Sequence, residues 1–464
     1  MSRVLVAGLC PLPFENTRES YGPGIRTWQF AWSLARGGHE VRLLAMKTPR
    51  AYEGESPAAS EQRQGVAVER LGDVAFLDPA TVRRAIRGFQ PQALVGASLY
   101  GSAALARAGA RVPFWADQFG HVMAEAQAKA AVEGRNWPLA HAWSLLAPVV
   151  RAADRVSVVS ERQRYAAIGE LGALGRLRAE TCGYEFISVI PCALVPEGEA
   201  ASPADGRADA EAAIRGRLAP PDAFVVLWSG GFNVWSDVET IVRGVEAAMG
   251  RHPRLHFVST GGPIRGLETA SYDRLKELVA GSPHAKRFHL EGWVRAERVA
   301  AYVSEADVGV LAERPIYEGL LGSKNRIVQW MGAGLPVVYN RLGDLGDLLD
   351  QRGLGLTFGV GDAPALAERL LWAVDHREEL RRMAGSAREA ARRELTFEAT
   401  TRELVAWAAA PAFAPDAGVR ARVRGPEDHA TLRQRAAAAA RRLPVLRRSE
   451  GLVRLWRRLL SGKG

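Results

Sequence analysis

The chain has 464 residues, 47% hydrophobic and 24% charged, with a net charge of +10, which is enough for two substantial cores. Three cysteines, Cys10, Cys182 and Cys192, argue against a disulfide framework and for a reducing compartment, and no C-x-x-C or Cys/His cluster suggests zinc. The opening MSRVLVAGLCPLP reads as a first strand and not a signal peptide, and no run of about 18 apolar residues predicts a membrane span, so a cytoplasmic location is expected. From Gly418 to Gly464 thirteen Arg or Lys stand against three acids; the tail carries the whole charge excess and the body is near neutral.

In chain order, short apolar runs predict strands at Val4–Ala7, Val41–Leu44, Ala93–Leu99, Pro113–Ala116, Val156–Val159 and Ile187–Ile190, with helices such as Ile25–Arg36 and Val82–Gly88 between them. A stretch rich in Ala, Pro, Asp and Gly follows. Strands resume at Ala223–Trp228, Leu255–Ser259, Phe288–Leu290, Val308–Leu311 and Val337–Tyr339. Helices are predicted at Val238–Met249, Ser271–Leu278, Ala296–Val303, Pro364–Asp375 and Glu378–Arg393. Alternation of this kind argues two mostly parallel, doubly wound α/β sheets, whose ligands bind at the carboxyl ends of the strands.

Several loops point to those ends. The first strand leads to Tyr21-Gly22-Pro23-Gly24-Ile25-Arg26, where Gly22 and Gly24 permit close backbone approach before a helix. The strand at Pro113 ends in Asp117, followed by Gln118, His121 and Glu125. A carboxylate there orients a hydroxyl or stabilises positive charge, with helix capping as the alternative for Asp117 and partial burial for His121. Ser229-Gly230-Gly231-Phe232-Asn233 offers backbone N–H groups to a phosphate. Thr260-Gly261-Gly262 ends the next strand, and in Glu291-Gly292-Trp293-Val294 the indole serves either the core or a base. From Val308 to Asn340 the chain reads VGVLAERPIYEGLLGSKNRIVQWMGAGLPVVYN, a strand–loop–helix–strand unit. Glu313, Glu318, Ser323, Lys324, Asn325 and Arg326 lie in its loop and helix entrance, and Gln329 on its helix; a helix N-terminus with two cations suits a diphosphate.

This last unit resembles the donor-site signature of retaining, nucleotide-sugar-dependent glycosyltransferases of the GT-B fold (glycosyltransferase family 4-like). QWMGAGLP is similar to their E-A-M-A-x-G-x-P run, with Gln329 where the second Glu of E-x7-E stands and Leu321 where the first would fall. Glu318 or Glu313 then replaces that first Glu, and Arg326 sits where a related subgroup places a Lys. GPGIRTWQFAWSLARGGHEVRLL resembles the family's first strand–loop–helix, which implies an acceptor-side loop of Gly22, Gly24 and Arg26. Asp117 stands at about the place where the family often carries a His near the reacting sugar. After the second half's first strand the family places cations where this chain has Phe232 and Ser236 or Asp237, so Lys324 and Arg326 are left to neutralise the donor phosphates. Gly292–Val294 resembles a G-x-V element that contacts the base.

The resemblance implies two Rossmann-like domains facing across a cleft, to which the sequence itself adds a basic helical tail. Residues 1–200 are expected to form the acceptor domain, 201–222 a linker, 223–395 the donor domain, 396–415 a helix crossing back to the first domain, and 416–464 the tail. It also implies sugar transfer from a nucleotide-diphosphate sugar to a glycan or lipid-linked acceptor, with retention. The expected catalytic residues are Asp117, His121 and Glu318. The expected donor-binding set is Gly230, Gly231, Asn233, Gly261, Gly262, Trp293, Val294, Ser323, Lys324, Asn325, Arg326 and Gln329. No D-x-D motif stands at a strand end, so no metal, and no other cofactor, is expected. A nucleotide-sugar epimerase of the same fold, or a degenerate membrane-held domain without activity, are the rival readings.

In the tail, Leu452, Val453, Leu455, Trp456, Leu459 and Leu460 fall on one side of a helix at 3.6-residue spacing, and Arg454, Arg457 and Arg458 on the other. This pattern fits an interfacial helix among anionic headgroups. Packing back on the body is the alternative, and nucleic acid would leave the Leu/Trp face without a use. The full chain is expected to sediment with anionic vesicles at low salt, and a chain ending at Pro415 is not. A full chain that ignores the vesicles, or a shortened one that binds equally well, removes the anchor.

Overall fold

The computed structural model describes residues 1–17, 22–48, 51–52, 57–201, 212–264 and 269–419. The first half builds β1 (Arg3–Leu9), β2 (Glu40–Met46), β3 (Ser60–Arg63), β4 (Val66–Leu71), β5 (Ala93–Gly96), β6 (Phe114–Asp117), β7 (Arg155–Val158) and β8 (Ile187–Val189). They form one sheet in the order β3-β4-β2-β1-β5-β6-β7-β8, parallel except for β3. The second half builds β9 (Phe224–Trp228), β10 (Leu255–Ser259), β11 (Phe288–Leu290), β12 (Val308–Leu311), β13 (Val337–Asn340) and β14 (Leu356–Phe358), all parallel, in the order β11-β10-β9-β12-β13-β14. The central strands, FVVLW and VGVL among them, are buried throughout, as strands covered by helices on both faces must be. Strand order reverses between β1 and β5 and between β9 and β12, and each reversal opens a crevice at the carboxyl ends.

Two predicted boundaries move. The strand foreseen at Ala93–Leu99 stops at Gly96, because Ser98 takes a left-handed φ of 67° and starts a helix, Ser98–Ala108. Of the foreseen linker, residues 212–222 belong to the second domain. The Glu305 carboxylate accepts N–H bonds from Ala213, Ile214 and Arg215 at 2.7, 2.8 and 2.7 Å, and Arg215 reaches Asp307 at 2.8 Å.

After the helix Arg377–Glu394 the chain returns to the first domain. Phe397 packs edge-on to Trp32 at 5.8 Å and Trp407 to Trp115 at 5.4 Å, so Phe397, Leu404 and Ala408 join the core under the helix Gly22–Arg36. Asp416 then grips the buried Arg176 with both carboxylate oxygens, at 2.5 and 2.9 Å. Gly418 ends this compact unit. The amphipathic tail helix foreseen from the sequence lies outside the described residues, and among those described no helix is long and apolar enough to cross a membrane.

Removing one partner of a buried ion pair leaves an unmatched charge and costs about 3–5 kcal/mol. Asp416→Ala should therefore lower the unfolding free energy by that order, read as a fall in the denaturant midpoint, and an unchanged midpoint would refute the clamp. The same contact sets where the tail is removed: a cut at Pro415 deletes Asp416, so the vesicle comparison needs a chain ending at Gly418.

Candidate active site

Two helix N-termini meet at the cleft. The helix Gly22–Arg36 begins at a glycine whose Cβ would stand 3.0 Å from Asn325 Nδ2, and Asn325 opens the helix Asn325–Ala333, which has no side-chain cap. Its first N–H groups are left for a ligand or water, at the positive end of the helix dipole. Gly24 is required here, since a Cβ would lie 1.7 Å from the Pro11 carbonyl oxygen. The first domain also reaches across elsewhere: Ala296 N–H donates to the Thr17 carbonyl at 2.9 Å, and Ser160 Oγ to that of Leu321 at 2.6 Å.

The two cations at this entrance differ in state. Arg326 donates Nη2 to the Gly231 carbonyl at 2.8 Å and lies 4.6 Å over the Trp228 ring. Its Nη1 is buried with no partner among the described residues, and desolvation pulls its pKa down to about 10. Glu313 offsets part of that desolvation, but among the described residues no carboxylate forms an ion pair with Arg326. Lys324, by contrast, is buried and held by Glu313 at 3.0 Å and by both oxygens of Glu318 at 3.1 and 3.2 Å. Burial disfavours its charge, but the two carboxylates outweigh that and raise its pKa. The expectation that Lys324 shares the diphosphate with Arg326 meets a lysine whose charge is already matched, and the loop is packed rather than solvated. Two carboxylates around one ammonium leave one negative charge in excess. Desolvation, with Glu313 adding to it and Lys324 opposing, raises Glu318 to about 7.

The glycine loops assemble around Arg326. Gly230 has φ 95°, with the Arg326 guanidinium 3.4 Å from where a Cβ would be. Gly261 closes on the Gly230 carbonyl, and a Cβ on Gly231 or Gly262 would meet the Trp293 ring at 3.1 or 3.0 Å. Trp293 Nε1 donates to the Pro263 carbonyl at 2.8 Å, so its ring covers the glycines, while Val294 packs at the rim of the core. Asn233 lies in a turn fixed by its own N–H to Ser236 Oγ at 3.1 Å, and Asp237 caps the helix Val238–Arg251. Phe232, where the family has a cation, stacks on Trp228 in the core at 4.5 Å. Ser323 lies within hydrogen-bonding reach of the buried Cys192 thiol. Gln329 is turned to the segment joining the domains, donating to the Ala193 carbonyl at 2.9 Å and accepting from Val195 N–H at 3.3 Å.

In the first domain, Asp117 and Arg26 are inside the protein rather than on the cleft wall. Asp117 accepts from Arg26 Nε and Nη2 at 3.1 and 2.6 Å, Ser98 N–H at 3.0 Å and Ser157 Oγ at 2.7 Å, and neither side chain of the pair is exposed. Both carboxylate oxygens are engaged, so Asp117 has no atom free for a substrate. His121 caps the helix Val122–Glu133, its Nδ1 accepting from Ala124 N–H at 3.1 Å, and its Nε2 lies 3.3 Å from Glu170. Ser98 is the residue the sequence reading missed: buried, left-handed, at a helix N-terminus beside the β1/β5 crevice, with a hydroxyl unpartnered among the described residues. The Ala-Ser junction carries no signal that would have marked it. Among the described residues no group of three or more His, Cys, Asp or Glu side chains is placed to hold a metal ion.

Residues 21–180 match the family model described as glycosyl transferase 4-like domain, and residues 223–376 that described as glycosyl transferases group 1. No curated protein sequence matches the chain. Among solved structures, sucrose-phosphate synthase from Thermosynechococcus elongatus is similar over 87% of this chain and 97% of its own, at 19% identity and TM-score 0.63. HepE from Anabaena, solved with UDP-glucose, covers 88% and 98%, at 16% identity and TM-score 0.61. The UDP-forming trehalose-phosphate synthase from Burkholderia vietnamiensis covers 88% and 100%, at 12% identity and TM-score 0.60. Two facing α/β domains with glycine loops and a cation at the donor-side helix define a two-domain glycosyltransferase of the GT-B fold. The chain is a glycosyltransferase whose second half matches the group 1 model and whose first half matches the 4-like model, and sugar transfer is the reading of the three that these comparisons support.

The raised Glu318 carboxyl gives a pH test. The folded state binds its proton more tightly than the unfolded state, where the pKa is near 4.5. Its contribution is therefore fullest below about pH 4.5 and is lost as pH rises toward about 7. Glu318→Gln should flatten the fall of the unfolding midpoint over that window; an unaltered slope would place the excess proton elsewhere.

Proposed function

We propose that this glycosyltransferase takes a nucleoside-diphosphate sugar as donor, with the diphosphate between the N-termini of the helices at Gly22 and Asn325. The observation that carries this is the buried, unmatched Nη1 of Arg326 beside Gly230 and Gly231. A diphosphate supplies the missing acceptor, and as the sugar leaves it takes up more negative charge, which Arg326 and the preorganised N–H groups stabilise more than they stabilise the ground state. Similar proteins solved with UDP-glucose or UDP support this choice of donor.

Glu318 and Lys324 lie next to the cation, where a half-protonated carboxyl both donates to and accepts from sugar hydroxyls. Arg26 and Asp117 act as positioning residues, holding Ser98 and the joining segment beside the site, and His121 holds the entry of its helix. The acceptor, a glycan or a lipid-linked glycan, enters by the β1/β5 crevice. Transfer proceeds with retention, as the resemblance to retaining GT-B enzymes implies, and without a metal, in keeping with the lack of a D-x-D motif at a strand end. The protein works on the cytoplasmic side, with the basic tail on the membrane surface.

A thermal-shift panel of UDP, ADP, GDP and their glucose conjugates tests the donor, since a ligand at about 100 times its Kd adds about 2.7 kcal/mol. Arg326→Met should weaken the stabilising nucleoside diphosphate by roughly ten- to a hundredfold, the loss of about 1.5–3 kcal/mol for a charged hydrogen bond. Affinity equal to that of the unaltered chain would sink the assignment.

A further inference from the structure

The helix Glu161–Ala173 has two apolar faces, and only one is used by the fold. Gln163, Ala167 and Leu171, four residues apart, are buried. On the opposite side Tyr165 is 72% and Ile168 38% exposed. Gly169 and Gly172 continue that line at helical spacing, and nothing stands within 4 Å of where a Cβ on Gly169 would be. Leu177, 53% exposed, folds back over the helix, its Cδ1 at 3.4 Å from a Cβ position on Gly172. Tyr165, Ile168 and Leu177 thus form one continuous apolar stripe facing water, on a helix already anchored by its other side.

The stripe stands at the root of the tail. Arg176, next to Leu177, turns inward to hold Asp416, and two residues later Gly418 ends the compact unit. The chain that carries all of the net charge leaves from there. The arginines around the stripe are balanced: Arg162 pairs with Asp347, Arg164 with Glu185 and Arg178 with Glu180. The stripe itself therefore offers apolar surface and a tyrosine rather than charge.

We propose that this stripe is a second lipid-contact element, lying on an anionic membrane surface beside the root of the tail. A basic tail alone tethers the enzyme and lets it tumble; a fixed apolar contact next to the tether sets which way the cleft faces. A second copy of the chain fits less well, because a two-fold contact over the stripe would bring two tail roots of like charge together. An anionic surface attracts the tail and accepts tyrosine and aliphatic side chains at headgroup depth. The stripe rests on the tail's attraction to lipid only for its approach to the surface.

The test uses the full chain and vesicles of phosphatidylglycerol with phosphatidylcholine. Replacing Tyr165, Ile168 and Leu177 together by Ser should lower the partition coefficient at least tenfold, and 0.5 M salt should release what remains while the unaltered chain keeps part of its binding. The cooperative thermal melt should be kept, since none of the three side chains is buried in the core. Ile168→Trp, which adds apolar area without removing any, should bind more tightly. Equal partition of the triple variant and the unaltered chain overturns the proposal, also when the variant loses a dimer and so reveals a self-association face. If neither binds vesicles, tail anchoring fails with it; if both bind equally, only the stripe fails.

Discussion

The buried ion pair between Arg26 and Asp117 holds more of this molecule together than any single apolar contact. The guanidinium uses its remaining donors on the carbonyls of Ile190 and Pro191 and on Gln29. The carboxylate takes Ser98 from the end of β5 and Ser157 from β7. One pair thereby fixes the first helix, three strand ends and the start of the segment that joins the domains. Desolvating two charges is costly, and it succeeds here because every lone pair and nearly every donor finds a partner.

The opposite arrangement marks the donor side. There a second arginine, Arg326, is buried over an aromatic ring with one nitrogen unbonded, while the neighbouring Lys324 is overmatched by two carboxylates. The two arginines differ in what their surroundings satisfy: a fully bonded charge maintains shape, and a buried donor left unbonded is the kind of group on which the proposed donor site is built. It also explains how the chain dispenses with cations on the β9 loop. Phe232 and Trp228 stack into a platform, and Arg326 lies on it.

The strands β1, β2, β5 to β8 and β9 to β13 could be read from the sequence, because each is a short run of apolar residues covered on both faces. The β3–β4 hairpin could not: SEQR has no apolar residue, and VAVERL alternates between core and solvent. In β14 a threonine interrupts the apolar run LTF between two glycine-bounded turns, so it did not stand out as a strand. The helices at Ser98–Ala108 and Val122–Glu133 are dominated by alanine, which favours helix without marking a face. At the site, Gly230–Gly231, Gly261–Gly262 and Arg326 follow three different strands, and each was marked in the sequence by its place after a strand. The states of Asp117 and Lys324 were not. Asp117 depends on a partner 91 residues away, and Lys324 on a helix at Tyr317–Leu321 that returns Glu318 to it. Gln329 is on a helix as expected, but its contacts lie 134 and 136 residues earlier in the chain.

The return of residues 396–416 to the first domain means that two stretches of chain cross between the domains side by side. Leu194 N–H donates to the Leu395 carbonyl at 2.7 Å, and Leu194 forms a bridge with Thr396. The domains are therefore joined by a paired strap and not by a single thread, a connection that permits rotation about the strap more readily than separation. A nick in either crossing leaves the other holding the halves together. The first domain is not contiguous in sequence, so recombination that exchanges whole donor domains between relatives has to carry, or rebuild, the closing segment that Phe397, Trp407 and Asp416 anchor in the acceptor half.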